Sequence, residues 1–168
     1  MRHEGIHPIT RLWPGRLLGR PGRSRGQSLL EMALLAPLLL LILFGIIEMG
    51  RLFFIWVTVQ HVARTAVRVA VAGPDDQGRH LSRIVDEARR VAATLPGGAG
   101  SASIVVRSQN RASGGWRDGD PGGPCDLVEV EIRYTYRPVV PFIALLLPQR
   151  INLTGKERKV NEPWRPCP

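Results

Sequence analysis

The sequence is short of the residues on which most chemistry depends. Among 168 residues there are only two cysteines, Cys125 and Cys167, with no Cys-x-x-Cys pair and no Cys/His cluster. That excludes the common zinc arrangements. The four histidines, His3, His7, His61 and His80, stand apart from any serine or cysteine nucleophile motif. Neither a phosphate-binding P-loop nor a G-x-G-x-x-G turn is present. Asp75–Asp76 and Asp118–Asp120 sit among glycines and prolines and read as turn residues. The expectation is a protein that is not an enzyme and that carries no cofactor and no metal. Cys125 and Cys167 form a candidate disulfide if the region is exported, and two separate thiols remain the other reading. No internal repeat is visible.

Acidic residues are also scarce. Fourteen stand against 23 basic ones, a net charge of +9. A surplus of that sign suits nucleic acid or anionic lipid as a partner, and its placement decides between them. Residues 1–26 hold Arg2, Arg11, Arg16, Arg20, Arg23 and Arg25 against Glu4 alone. Elsewhere basic and acidic residues are mixed, and no basic stripe carries interleaved aromatics. Nucleic acid is therefore not expected as a partner. The basic arm, rich in glycine and proline and without apolar periodicity, reads as a disordered leader.

What the leader precedes is a long apolar run. LLEMALLAPLLLLILFGII, from Leu29 to Ile47, contains one charge, Glu31. At about 1.5 Å per residue it makes a helix of roughly 28 Å, close to the thickness of a bilayer's hydrocarbon core. It is apolar on every side, whereas a soluble helix keeps a polar face. Pro37 removes one backbone hydrogen bond, which a membrane helix tolerates. The run is too long for a secretory signal and continues into Phe53, Phe54 and Trp56, an aromatic belt at the far interface. Arginines on the leader side keep that side cytoplasmic. The expected location is the bacterial inner membrane, crossed once, with the C-terminal part outside the cytoplasm.

Beyond the membrane the helix is expected to continue to Gly73–Pro74. Glu48 and Arg51, and Arg64 and Arg68, fall at spacings that share a helix face. A second helix follows from Leu81 to Leu95, with Leu81, Ile84, Val85, Ala88, Val91, Ala92 and Leu95 on one face. The period then switches to two. Ser103–Arg107 is a short strand, residues 108–124 a long loop, and Asp126–Tyr136 a strand with Val128, Val130, Ile132, Tyr134 and Tyr136 inward and Glu129, Glu131, Arg133 and Thr135 outward. The run from Pro138 to Pro148 is too short to span a bilayer and reads as a loop or short helix against the domain or the membrane surface. Ile151–Val160 alternates again as a third strand, and the Pro-rich tail after Asn161 reads as loose. Asn152-Leu153-Thr154 matches a glycosylation sequon by chance.

The expected fold is therefore α+β: a long N-terminal transmembrane helix continuing into an extracytoplasmic helical hairpin, then a small antiparallel sheet of about three strands. The domains are a leader over 1–26, the spanning and extended helix over 27–73, and a small α+β domain over 74–168.

One motif carries chemistry. In Arg25-Gly26-Gln27-Ser28-Leu29-Leu30-Glu31 a basic leader ends in glycine, and a glutamate follows in the first turn of an apolar helix. A charge inside a membrane helix costs a few kcal/mol by lenient scales. Cleavage between Gly26 and Gln27 would leave an ammonium on Gln27 that shares a face with Glu31. The carboxylate would also favour the helix N-terminus or a neighbouring subunit's amine. Glycine admits a peptidase close to the backbone. The blander reading makes Glu31 an interface marker and Gly26 a linker.

The block from Arg25 to Gly73 resembles the opening of the TadE-like proteins of tight-adherence (Flp-type) pilus systems, which are similar to pseudopilins. The resemblance rests on the Gly-Gln-Ser start, Glu31, Pro37, Phe44-Gly45 to Gly50-Arg51, and the steps Ala63-Arg64 and Val67-Arg68. Tyr134-Thr135-Tyr136-Arg137-Pro138 with Val139-Val140-Pro141 is similar to the family's strand-and-proline segment. Met32 and Val67 depart from the residues usual at their positions. The resemblance implies a pseudopilin-like structural component or assembly factor of the pilus, matured by a prepilin peptidase between Gly26 and Gln27. Its partners would be the inner membrane, that peptidase and other pilus or pseudopilin subunits. Glu31 would set the assembly register, and Arg64 and Arg68 are candidate subunit contacts, though the wet face of a helix is the simpler reading of those two. The alternative function is a membrane-anchored extracytoplasmic binding domain that is not processed and joins no filament.

Overall fold

The computed structural model describes residues 25–74 and 77–167, so residues 1–24 of the leader expected over 1–26 lie outside the described residues. The first helix, α1, runs from Arg25 to Val71 and stays helical through Pro37. The chain divides into two compact units after Leu38. In the first unit, the described residues are the opening of α1, with Leu29, Leu30, Met32, Leu34 and Leu35 all exposed. In the second, the remainder of α1 is joined by the other helices and the sheet.

From Ile55 onward the helix changes character. Ile55, Val59, Val62, Ala63, Ala66, Val67 and Ala70 are buried. Their spacing of three and four residues makes one apolar stripe. Gly73 ends this stretch at φ +87°, a conformation that glycine adopts without steric cost. A second helix, α2 (His80–Ala92), buries Ile84, Ala88 and Ala92, which recur every four residues, together with His80. His80 donates from Nε2 to the carbonyl of Ala70 at 2.9 Å, which clasps the two helices near their turn.

A 3-10 turn (Ala99–Ser101) leads into the sheet. Its strands are β1 (Ala102–Gln109), β2 (Trp116–Asp118), β3 (Leu127–Tyr136) and β4 (Ile151–Val160), in the order β2-β1-β3-β4 and antiparallel throughout. The sheet thus has four strands rather than about three. The extra one, β2, lies inside the stretch expected to be a loop and pairs Trp116 with Gln109 and Asp118 with Arg107. A four-residue helix, α3 (Pro141–Ala144), interrupts the connection from β3 to β4.

One face of the sheet carries Val106, Val128, Val130, Ile132, Tyr134 and Tyr136, and these join the stripes of α1 and α2 in one core. Each fully buried aliphatic side chain there contributes about 1.5–3 kcal/mol. Contact is close at Gly155 in β4, where an added Cβ would lie 2.5 Å from the carbonyl oxygen of Val59. A glycine inside a strand marks such an approach of backbone to backbone. Gln60 adds a hydrogen bond from Nε2 to the Thr154 carbonyl at 3.0 Å.

The tail after Asn161, expected to be loose, is fastened instead. The Asn161 side chain donates to the carbonyls of Pro121 and Gly123, both at 2.9 Å, and its amide donates to Asp126. The Glu162 amide donates to Val71, capping the end of α1. Trp164 covers Gly73 and meets the His80 ring edge-on. Cys167 is bonded to Cys125. Proline content pointed to looseness because no apolar periodicity betrays these polar and cross-linking contacts.

Candidate membrane and assembly surfaces

The expected cleavage point lies in the first turn of α1. Gly26, Gln27 and Ser28 are exposed, and a Cβ added at Gly26 meets no atom within 4 Å. Glu31 is exposed on the same helix and makes no hydrogen bond or ion pair among the described residues. Around it the helix is bare and apolar. The most hydrophobic 18-residue window has a mean hydropathy of 2.6 with none of it buried. Nothing among the described residues covers this window, which suits an apolar solvent or cover by another molecule.

A second carboxylate on α1 behaves in the opposite way. Glu48, one residue beyond the apolar run, is 2% exposed. Its Oε1 accepts from the Tyr136 hydroxyl and from the Val139 amide at 3.0 Å, and its Oε2 accepts from the Val140 amide at 3.4 Å. Burial would be costly for an isolated charge and is offset here by three donors. The Tyr136 phenol is pushed above its ordinary range, first by burial and then by its bond to Glu48. It stays protonated and serves as a donor. Sequence reasoning saw Glu48 only as a neighbour of Arg51. The available signal was one carboxylate at the end of an apolar run and one tyrosine at the end of an inward-facing strand face.

Arg64 and Arg68 are exposed on α1, next to the buried Ala63 and Val67. With His61, Thr65, Glu157 and Lys159 they line a shallow recess of about 280 Å³. The recess is open and its lining is of mixed charge. Among the described residues no cluster of three or more His, Cys, Asp or Glu side chains is placed to hold a metal.

The outward face of the sheet departs from simple alternation. Glu129 and Glu131, expected outside, are 0% and 8% exposed. Arg107 reaches Glu129 at 2.5 Å and Lys156 reaches it at 3.2 Å, and Arg158 donates to its other oxygen. Register explains the cluster, since Arg107 and Arg158 stand directly opposite Glu129 on the two flanking strands. Both guanidinium groups also lie over the Trp116 ring, at 4.8 and 5.3 Å from its centroid. Burial pushes the Glu129 carboxyl up, but the hydrogen bonds from Arg158, Arg107 and Lys156 outweigh it and hold the group below its ordinary value. Glu131 is also lowered, chiefly by Arg133.

Asp126 organises the loop end of the sheet. It accepts from the amides of Arg111 and Gly123 and from the Arg117 guanidinium at 3.1 Å. The neighbouring Cys125, at φ +65°, turns the chain toward Cys167. These bonds hold the loop end of the sheet together.

Comparison with known proteins places the signal where the exposed helix is. Residues 26–68 match the family model described as TadE-like protein. The match begins at Gly26, runs through Glu31 and Glu48 and ends at Arg68. It points to involvement in the assembly of tight-adherence pili, with α1 as a membrane anchor. Comparison with curated proteins and with solved structures found no match.

Proposed function

We propose that this chain is a pseudopilin-like subunit or assembly factor of a tight-adherence pilus, made as a precursor and matured by a prepilin peptidase between Gly26 and Gln27. The observation that carries the proposal is the coincidence at one residue. The TadE-like match starts at Gly26, where the basic leader gives way to a helix whose most hydrophobic window is uncovered among the described residues.

In this reading the helix holds the subunit in the inner membrane, and the leader arginines keep its start in the cytoplasm. Cleavage removes the arm that fixes the subunit there. Glu31, exposed and unpaired among the described residues, then meets an N-terminal ammonium, its own or a neighbour's, and sets the axial register. Arg64 and Arg68 contact other subunits above the membrane. The chain works by assembly and has no reaction of its own.

Mass spectrometry or N-terminal sequencing of membrane-extracted protein tests the central step. The expected mature N-terminus is Gln27, and Gly26→Leu should retain the leader. A side chain at position 26 meets nothing in the fold, so that variant reads the peptidase rather than the stability of the domain. An intact leader on the wild-type protein, in cells that process other prepilins, would overturn the proposal in favour of an anchored binding domain. Glu31→Ala is expected to insert normally but to give few pili. Normal piliation would remove Glu31 from the register role.

A further inference from the structure

Between Arg137 and Arg150 the chain carries no charged residue. This segment makes an apolar knuckle around α3, with Val139 59%, Phe142 64%, Leu145 84% and Leu146 70% exposed. A patch of this kind on a small domain marks a site that something else covers. Its place in the fold indicates what. Ile143 is the one buried residue of α3, and its Cδ1 lies 4.0 Å from the position of a Cβ at Gly45. Gly45 belongs to the apolar run that ends at Ile47. The knuckle is also pinned to this level, because the Val139 and Val140 amides donate to Glu48. It is therefore held beside the last turn of the segment that would cross the bilayer. Arg137 and Arg150, both exposed, bracket it.

We propose that the knuckle is a second membrane contact: Phe142, Leu145 and Leu146 lie in the interfacial layer of the outer leaflet, beside the helix that spans it, with Arg137 and Arg150 at the level of the lipid phosphates. The chemistry is that of an interfacial anchor, apolar side chains below and cations above, in a segment too short to span. The arrangement gives Glu48 its purpose. A carboxylate at the edge of the hydrocarbon costs least when its oxygens are taken up by fixed donors, and here those donors orient the knuckle. Two attachments beside each other, the helix and the knuckle, would fix the tilt and rotation of the domain over the membrane, which a single helix leaves free. The inference rests on the membrane-anchor reading of α1.

The test uses the full chain in phosphatidylethanolamine–phosphatidylglycerol vesicles containing a shallow doxyl-labelled lipid. Because the native cysteines are bonded to each other, a single engineered thiol carries the environment-sensitive fluorophore NBD. Leu145→Cys reports the knuckle, Leu43→Cys the spanning helix and Ser82→Cys the far end of the domain. The first two should lose fluorescence to the doxyl lipid and the third should not. Loss at Leu43 with Leu145 as bright as Ser82 would overturn the knuckle contact and leave the anchor standing. No loss at Leu43 would overturn the anchor reading and the inference with it. A Leu145 signal that changes with protein-to-lipid ratio but not with doxyl lipid would assign the patch to a second copy of the chain and overturn the lipid contact.

Discussion

At the scale of single residues, the domain turns on positions where one atom too many or one charge too few would be felt. Gly155 is the clearest. An added methyl would lie 2.5 Å from the Val59 carbonyl oxygen and 2.9 Å from its carbon, and both are backbone atoms that cannot rotate away. Gly155→Ala should destabilise the domain by about 1–3 kcal/mol, the usual range for overpacking. Thermal unfolding of the detergent-solubilised chain would show it, and an unchanged midpoint would mean that helix and sheet separate easily. Glu129 is the electrostatic counterpart. Its carboxyl is held below the ordinary value of 4.5, so its contribution is complete above that value and fades as pH falls through the lower, folded value. Unfolding midpoints should therefore be flat from neutrality to about pH 5 and then decline, with Glu131 and Glu87, also lowered, sharing in the decline. Glu129→Gln should cost about 2–3 kcal/mol at neutral pH, because Arg107, Lys156 and Arg158 then face one another without their common anion. It should also soften the acid decline. A variant as stable as wild type at pH 7 would show the cluster to be mere surface.

At the scale of elements, periodicity was a good guide wherever one rule acted alone. The spacing of Ile84, Ala88 and Ala92 predicted α2, and the alternation from Val128 to Tyr136 predicted the inward face of β3. It misled where a second influence intervened. Glu129 and Glu131 occupy outward positions, yet they are buried: Arg107, Lys156 and Arg158 from the flanking strands close over Glu129, and Arg133 and Lys156 over Glu131. Alternation assigns a side chain to a face and says nothing about what covers that face. β2 was hidden for a related reason. Three residues, Trp116–Asp118, set among glycines and aspartates, carry no period of their own and become a strand only because β1 offers an edge. The tail was misread because its order comes from Asn161, Trp164 and Cys167 acting singly. Its disulfide closes a sequence separation of 42 residues. Replacing both cysteines by serine should lower stability by about 2–4 kcal/mol and release the tail to proteolysis. Retention of a protected tail would show that Asn161 and Trp164 suffice.

At the scale of the whole molecule, the sequence carried the class of fold, the apolar span and the family resemblance. It did not carry the use made of the span's far end. Glu48 could be noticed as a charge, but its partners, Tyr136, Val139 and Val140, lie 88 to 92 residues away, and only the folded chain brings them together. The same holds for the knuckle, legible as an apolar stretch but not as one moored beside Gly45. The candidate cleavage site is a local pattern, and an added Cβ at Gly26 meets no neighbour within 4 Å, so folding adds nothing to its reading. The bonded cysteines agree with a domain exported to an oxidising compartment, and the proposed topology places them there.

The buried stripe from Ile55 to Ala70 has a mechanical corollary. Within the second unit α1 is unbroken from the end of the apolar run to Val71, and the same stretch supplies the stripe that joins the sheet and α2 in the core. A protease cut between Ala70 and Gly73 would not liberate an intact head, because the seven buried residues from Ile55 to Ala70 would then lie on the other fragment. Likewise, a pull on the helix at Glu48 would load the Val59–Gly155 junction directly, because α1 is unbroken between them.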